Sequence, residues 1–139
     1  MNDSDAPVTQ FGAPDAPYCD PATACVTIIP APLEYSVCYM QGTQRGPQAI
    51  LNASSQMELY DEELDCCPIE IGVYTRPLLN YSGMDHAAAL KATGEAVREV
   101  LKRDQFPFTW RLDIIDGVVP SFVYSTRLSL GLNLGAALL

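Results

Sequence analysis

An α/β fold with a mainly parallel sheet is what this sequence predicts, on three observations. Residues 25–29, Cys-Val-Thr-Ile-Ile, form an unbroken apolar and β-branched run of the kind that lies in a sheet covered on both faces. Residues 86–103 carry Leu90, Val97 and Leu101 along one stripe at helical spacing. Residues 106–110, Phe-Pro-Phe-Thr-Trp, follow at once as a further strand. Strands that alternate with helices pair in parallel, because each helix carries the chain back to the starting edge of the sheet.

In chain order, residues 1–23 hold Pro7, Pro14, Pro17 and Pro21 among Asp, Ala and Gly, which predicts a flexible, irregular leader. Residues 24–139 form the folded portion. Pro30 and Pro32 end the first strand. Gly42-Thr43-Gln44-Arg45-Gly46-Pro47 reads as a glycine loop that enters a helix over 48–57, with Pro47 at the first helical position and Ala49, Ile50 and Ala53 on one face. Residues 69–74, Ile-Glu-Ile-Gly-Val-Tyr, alternate as a second strand. Asp85 caps the long helix, and Lys102 and Arg103 complement the negative end of its dipole. A helix start over 120–124 and a strand over 128–134 complete the expected elements. No internal repeat is present.

At 139 residues the chain is one ordinary domain or a piece of a larger one. Apolar residues at 48% and charged residues at 18% place it among globular chains and exclude wholesale disorder. Asp plus Glu number 17 against 8 for Lys plus Arg, a net charge of -9 that repels phosphate backbones and excludes nucleic acid as the expected partner. The five cysteines, Cys19, Cys25, Cys38, Cys66 and Cys67, are odd in number and lack zinc-ribbon spacing, so no disulfide framework is expected. The N-terminus has no apolar signal-like core, and a reducing cytoplasm is the expected setting. The apolar segment 128–139 falls far short of the about 20 residues needed to span a bilayer, so no membrane partner is expected.

The residues whose types suggest chemistry each have a plainer reading. The glycine loop could let a backbone approach a ligand at a helix N-terminus, or it could be a simple turn; it has no Gly-Lys-Ser/Thr and no Gly-x-Gly-x-x-Gly. Glu58, Asp61, Glu62, Glu63 and Asp65 lack the spacing and central glycine of a calcium loop and read as a solvated face. His86 is the single histidine; a dyad with Cys38, Cys66 or Cys67 is conceivable, but its place at a helix start favours a structural role. One imidazole cannot supply a histidine-based metal centre. Asp113 and Asp116 stand near the end of a predicted parallel strand, where α/β folds place ligands.

Within residues 27–75 lie three strings in a fixed order. They are Ile-Pro-Ala-Pro-Leu-Glu-Tyr-Ser-Val-Cys-Tyr-Met-Gln-Gly-Thr-Gln-Arg-Gly-Pro-Gln-Ala-Ile-Leu-Asn-Ala-Ser at 29–54, Met-Glu-Leu-Tyr-Asp-Glu-Glu-Leu at 57–64, and Ile-Glu-Ile-Gly-Val-Tyr-Thr at 69–75. Together they resemble the N-terminal part of agmatinases, which belong to the arginase-like ureohydrolases. The resemblance implies a partial three-layer α/β/α arginase-like fold with a mainly parallel sheet, truncated at something under half of the whole. It further implies a guanidino substrate, two manganese ions bridging a hydroxide, and hydrolysis of agmatine to putrescine and urea, a step of polyamine biosynthesis. Gly42, Thr43, Gly46 and Pro47 would then shape the substrate-pocket rim.

After Thr109 the family text ends. Where the family continues Leu-Gly-Gly-Asp/Glu-His-Ser, this chain reads Trp110-Arg111-Leu112-Asp113-Ile114-Ile115, which puts Ile114 in the histidine slot. Gly135, Ala137 and Leu139 fall in the three positions of the later Asp-Ala-His-x-Asp ligands. None of these four side chains donates to a hard divalent cation. The expectation is therefore a ureohydrolase-like chain with no catalytic residue and no bound manganese of its own, inactive by itself and prone to self-association or homo-oligomer formation through an exposed edge. The alternative is a non-catalytic interaction protein that associates with full-length ureohydrolase subunits.

Overall fold

The computed structural model describes residues 9–35 and 41–110. The elements in order are β1 (Val26–Pro30), a 3-10 turn (Thr43–Arg45), α1 (Gly46–Ser54), a second 3-10 turn (Pro68–Ile71), β2 (Val73–Thr75), α2 (His86–Leu101) and β3 (Phe106–Trp110). The sheet order is β2-β1-β3, and both pairings are parallel, with Val26 opposite Val73 on one side and Phe106 on the other. The expected helix start over 120–124, the strand over 128–134, Cys38, Asp113, Asp116, Ile114, Gly135, Ala137 and Leu139 lie outside the described residues.

This strand order fixes where the helices go. The first crossover runs from β1 outward to β2, and the second runs from β2 back past β1 to β3. Right-handed crossovers that travel in opposite directions place their helices on opposite faces. Side chains alternate along each strand, so Ile29 faces α2 and joins Ala96, Val97 and Val100 in one buried cluster. Val26 and Ile28 face the other way, where Ile50 of α1 lies with Val73, Phe108 and Trp110.

Helix α2 forms close to its expected bounds because its ends are chemically marked. The Asp85 carboxylate accepts the Ala88 N–H at 2.7 Å, and Lys102 follows the last helical residue. Its buried face is Ala89, Thr93, Ala96, Val97 and Val100, a stripe broader than Leu90, Val97 and Leu101, with Leu101 packed at its flank.

Two expectations are corrected. Of the α1 face predicted as Ala49, Ile50 and Ala53, only Ile50 turns toward the sheet and is half-buried; Pro47, Leu51 and Ser54 are buried, and Ala49 and Ala53 are exposed. Both sets have helical spacing, and the choice falls to Ser54, whose hydroxyl donates to the Leu51 carbonyl at 2.7 Å and accepts the Gly12 N–H at 3.0 Å. The strand predicted over 69–74 begins only at Val73, because Pro68 opens a 3-10 turn and Gly72 takes φ 85°. A Cβ at Gly72 would sit 2.8 Å from the Ala24 Cα, so only glycine lets β2 enter beside β1.

Residues 9–23 contain no helix or strand, as their prolines predict, but an irregular backbone is not a loose one. The Gln10 side-chain amide donates to the Thr75 carbonyl at 3.2 Å and accepts the Thr75 N–H at 2.7 Å, so it satisfies the outer edge of β2 as a neighbouring strand would. The Phe11 N–H donates to the Thr75 hydroxyl at 3.0 Å, and the Val73 N–H donates to the Tyr18 carbonyl at 2.8 Å. Among the described residues, no helix is long and apolar enough to cross a membrane.

Candidate functional site

Parallel strands deliver their carboxyl ends to one edge of a sheet, and ligands of open α/β folds lie in the crevice there. At that edge a cavity of about 420 Å³ opens between the segments that leave β1 and β2. Pro32, Glu34 and Tyr35 enter it from β1, Asn80 and Tyr81 from β2, and Gln44 from the 3-10 turn before α1. Among these described lining residues, Glu34 is the one that carries a charge.

The Glu34 carboxylate is held by backbone N–H groups. Gly42 donates to Oε1 at 2.8 Å and to Oε2 at 3.0 Å, and Gln44 donates to Oε2 at 3.0 Å. The Gln44 and Gly42 amides hold the Glu34 carboxyl below its ordinary value, with a smaller contribution from the Arg45 charge, because each favours the ionised form. Gly42 can present its N–H in this way because it sits at φ 118°, a conformation that side-chain-bearing residues rarely adopt.

The opposite wall is fastened to α2. The Thr93 hydroxyl donates to the Ala89 carbonyl at 2.9 Å, which uses its single proton, so the Tyr81 hydroxyl is the donor in the 2.6 Å contact between Tyr81 and Thr93. The Tyr35 hydroxyl donates to the Met84 carbonyl at 2.6 Å, and its ring stacks on His86 at 5.2 Å between centroids. His86 is half-buried at the first position of α2. Its Nε2 is buried and makes no hydrogen bond among the described residues, Cys66 and Cys67 included.

None of the four predicted rim residues lines the cavity. Gly42 anchors the turn to Glu34, Thr43 belongs to the turn, and Gly46 and Pro47 open α1, with Pro47 buried. Gln44, from the middle of the same loop, is the residue that lines the cavity. Glu34, Tyr35, Asn80 and Tyr81 were not singled out from the sequence as site residues. Their signal is positional, since each lies a few residues beyond the carboxyl end of a strand, and it becomes visible only once β1 and β2 are known to be parallel neighbours.

The acidic run is a turn in contact with water. Asp61 Oδ1 accepts the N–H groups of Glu63 and Leu64 at 3.0 Å each, and Asp61 and Cys66 form an isolated antiparallel bridge. The Tyr60 hydroxyl bonds the Asp65 carboxylate, which raises the phenol above its ordinary value. Among the described residues, no group of three or more His, Cys, Asp or Glu side chains is placed to hold a metal ion. The donors among the described residues do not form a two-metal centre.

Comparison with known proteins shows what this architecture matches. Residues 24–110 match the arginase family model. The chain is 46% identical over 55 residues to an N(1)-aminopropylagmatine ureohydrolase of Synechocystis sp., an alignment that covers 39% of this chain and 18% of that protein. It is 34% identical over 91 residues to an N(1)-aminopropylagmatine ureohydrolase of Thermus thermophilus, which covers 65% of this chain and 30% of that protein. In structure it resembles the agmatine ureohydrolase of Thermoplasma volcanium, with a TM-score of 0.68 at 15% identity over 88% of this chain and 40% of the other. The aligned region therefore spans less than a third of either of these sequence relatives and under half of the structural one. The fold is arginase-like, represented here in part. With the match covering every described element from β1 to β3, the chain belongs to the arginase family.

Proposed function

We propose that this chain is the N-terminal portion of a ureohydrolase of the agmatine type, whose reaction splits a guanidino group into urea and an amine, and that it does not catalyse this reaction by itself. The observation that carries the reading is the match over residues 24–110, which runs from just before β1 to the last residue of β3. Agmatine and its aminopropyl derivative share the guanidino group and differ in the tail, so the cavity between Glu34 and Tyr81 is proposed as part of the rim that receives either molecule, with Gly42, Thr43, Gly46 and Pro47 behind it. Tyrosine, amide and proline surfaces suit the short alkyl chain that either molecule carries. The two manganese ions of the family are not assigned to this chain, since the described residues offer no donor cluster and Ile114, Gly135, Ala137 and Leu139 carry no donor side chain. Cytoplasmic location, guanidino specificity and homo-oligomer formation complete the proposal.

The test is urea release from agmatine and from N(1)-aminopropylagmatine by the purified 139-residue chain with added manganese, with metal quantified on the same sample. The expected result is no urea and no stoichiometric metal. Urea together with about two metal ions per chain would overturn the reading, since a two-metal site would then have formed from donors dismissed above.

A second reading is a non-catalytic partner of full-length ureohydrolase subunits; Gln10 and Tyr18 occupy the outer edge of β2, so such a partner would dock elsewhere. Co-purification of the chain with a full-length homologue supports this reading, and its failure at micromolar concentrations of both removes it.

A further inference from the structure

Two adjacent residues fasten both sides of the cavity. Glu34 and Tyr35 follow the β1 exit, Glu34 gripping the Gly42–Gln44 backbone on one wall and Tyr35 gripping Met84 and His86 on the other. We infer that Glu34 is a positioning residue: its carboxylate is committed to the Gly42 and Gln44 amides, sets the place of the turn that carries Gln44 into the cavity, and is not the direct counter-ion of a bound ligand.

Three observations support this. The carboxylate makes three N–H contacts of 2.8 to 3.0 Å, in line with the two or three amide bonds that a strongly held carboxylate accepts. Gly42 has nothing within 4 Å of where its Cβ would be, so the turn is not wedged in place by packing at that point. Neither the turn nor its cap has a side-chain cap bond of its own. The grip of Glu34 is what replaces both. Only the identity of the ligand rests on the function proposed above; the clamp itself does not.

The clamp has a definite pH sign. A carboxyl lowered in the folded state stabilises the turn fully above its unfolded value of 4.5 and loses that contribution as pH falls through the lower folded value. Arg45 is the charged neighbour that contributes in the same direction, and Tyr35 and Tyr81 are the other titratable side chains lining the cavity.

The experiment is amide-resolved NMR on the full 139-residue chain. In the wild type, the Gly42 and Gln44 amide shifts are expected to titrate together with one midpoint below 4.5; a midpoint at or above 4.5, or no titration, overturns the clamp. In Glu34→Gln, exchange at these two amides is expected to rise about tenfold or more while the β1 amides of Ile28 and Ile29 keep their protection. Unchanged exchange at Gly42 and Gln44 overturns the proposal. The wild-type titration needs no variant, so it decides the matter even where Glu34→Gln fails to fold. Agmatine is then titrated into both proteins. Weakened binding in Glu34→Gln with undisturbed Gly42 and Gln44 amides would make Glu34 the direct counter-ion and overturn the inference. Absence of agmatine binding to the wild type would count against the proposed function alone, with the clamp judged by its own amides.

Discussion

The two faces of the sheet are built from the same three strands and are covered in different ways. On the α2 face, a helix of 16 residues lays Ala96, Val97 and Val100 against Ile29, and all four are at most 5% exposed. On the opposite face, α1 has nine residues and shares the cover with the irregular segment around Phe11, leaving an apolar groove of about 440 Å³ along Val26, Ile28 and Trp110. Phe108, in register with Ile28, remains 47% exposed there. The difference shows that apolar strand residues do not guarantee a dry face. Close packing requires a partner element long enough to cross all the strands, and hydrogen-bonded loop cannot supply it at the same density.

The sharpest way to break this comparison is to delete the same kind of side chain on each face. Ile29→Ala, at 0% exposure, is expected to cost about 2 to 5 kcal/mol in denaturant unfolding, from lost burial plus the cavity left behind. Next comes Thr75→Val on the groove face, which leaves the Phe11 N–H without its acceptor and is expected to cost about 1 to 3 kcal/mol, with faster amide exchange at Phe11. Phe108→Ala should cost only about 1 kcal/mol, since much of the ring already meets solvent; a loss equal to that of Ile29→Ala would show that the groove face is as tightly packed as the other. The smallest effect belongs to the Arg76 to Glu99 ion pair, 3.0 Å apart with Glu99 54% exposed. Glu99→Gln is expected to shift stability by less than about 1 kcal/mol, and by less again in high salt.

Much of the scaffold was legible beforehand, for reasons that particular residues make clear. Strand β1 and helix α2 announce themselves because an unbroken β-branched run and a capped amphipathic stretch each have one low-energy conformation that buries their apolar atoms. The 69–74 strand was misplaced because Ile-Glu-Ile imitates period-two alternation, while Pro68 and the φ of 85° at Gly72 divert the backbone into a 3-10 turn. The α1 face was misread because a helix of nine residues offers two stripes of similar hydrophobicity, and the bond from Gly12 to Ser54 selects one of them. Of the site, the glycine loop was visible through its own composition. Glu34 was not, since its partners Gly42 and Gln44 are contacts of the folded chain rather than features of a pattern.

The sequence by itself determined the element types, the parallel α/β class and the family resemblance, because those depend on local conformational preference and on the order of residues along the chain. Tertiary structure alone decided that Gln10 would seal the edge of β2, that Glu34 would hold the turn beside the cavity, and that one sheet face would be dry and the other grooved. The Gln10 contact joins residues 65 apart in the chain, and the Glu34 contacts bridge eight and ten residues across a loop. Their energies exist only after the strands have paired, when a carboxylate or an amide side chain meets backbone groups that no local pattern places within its reach.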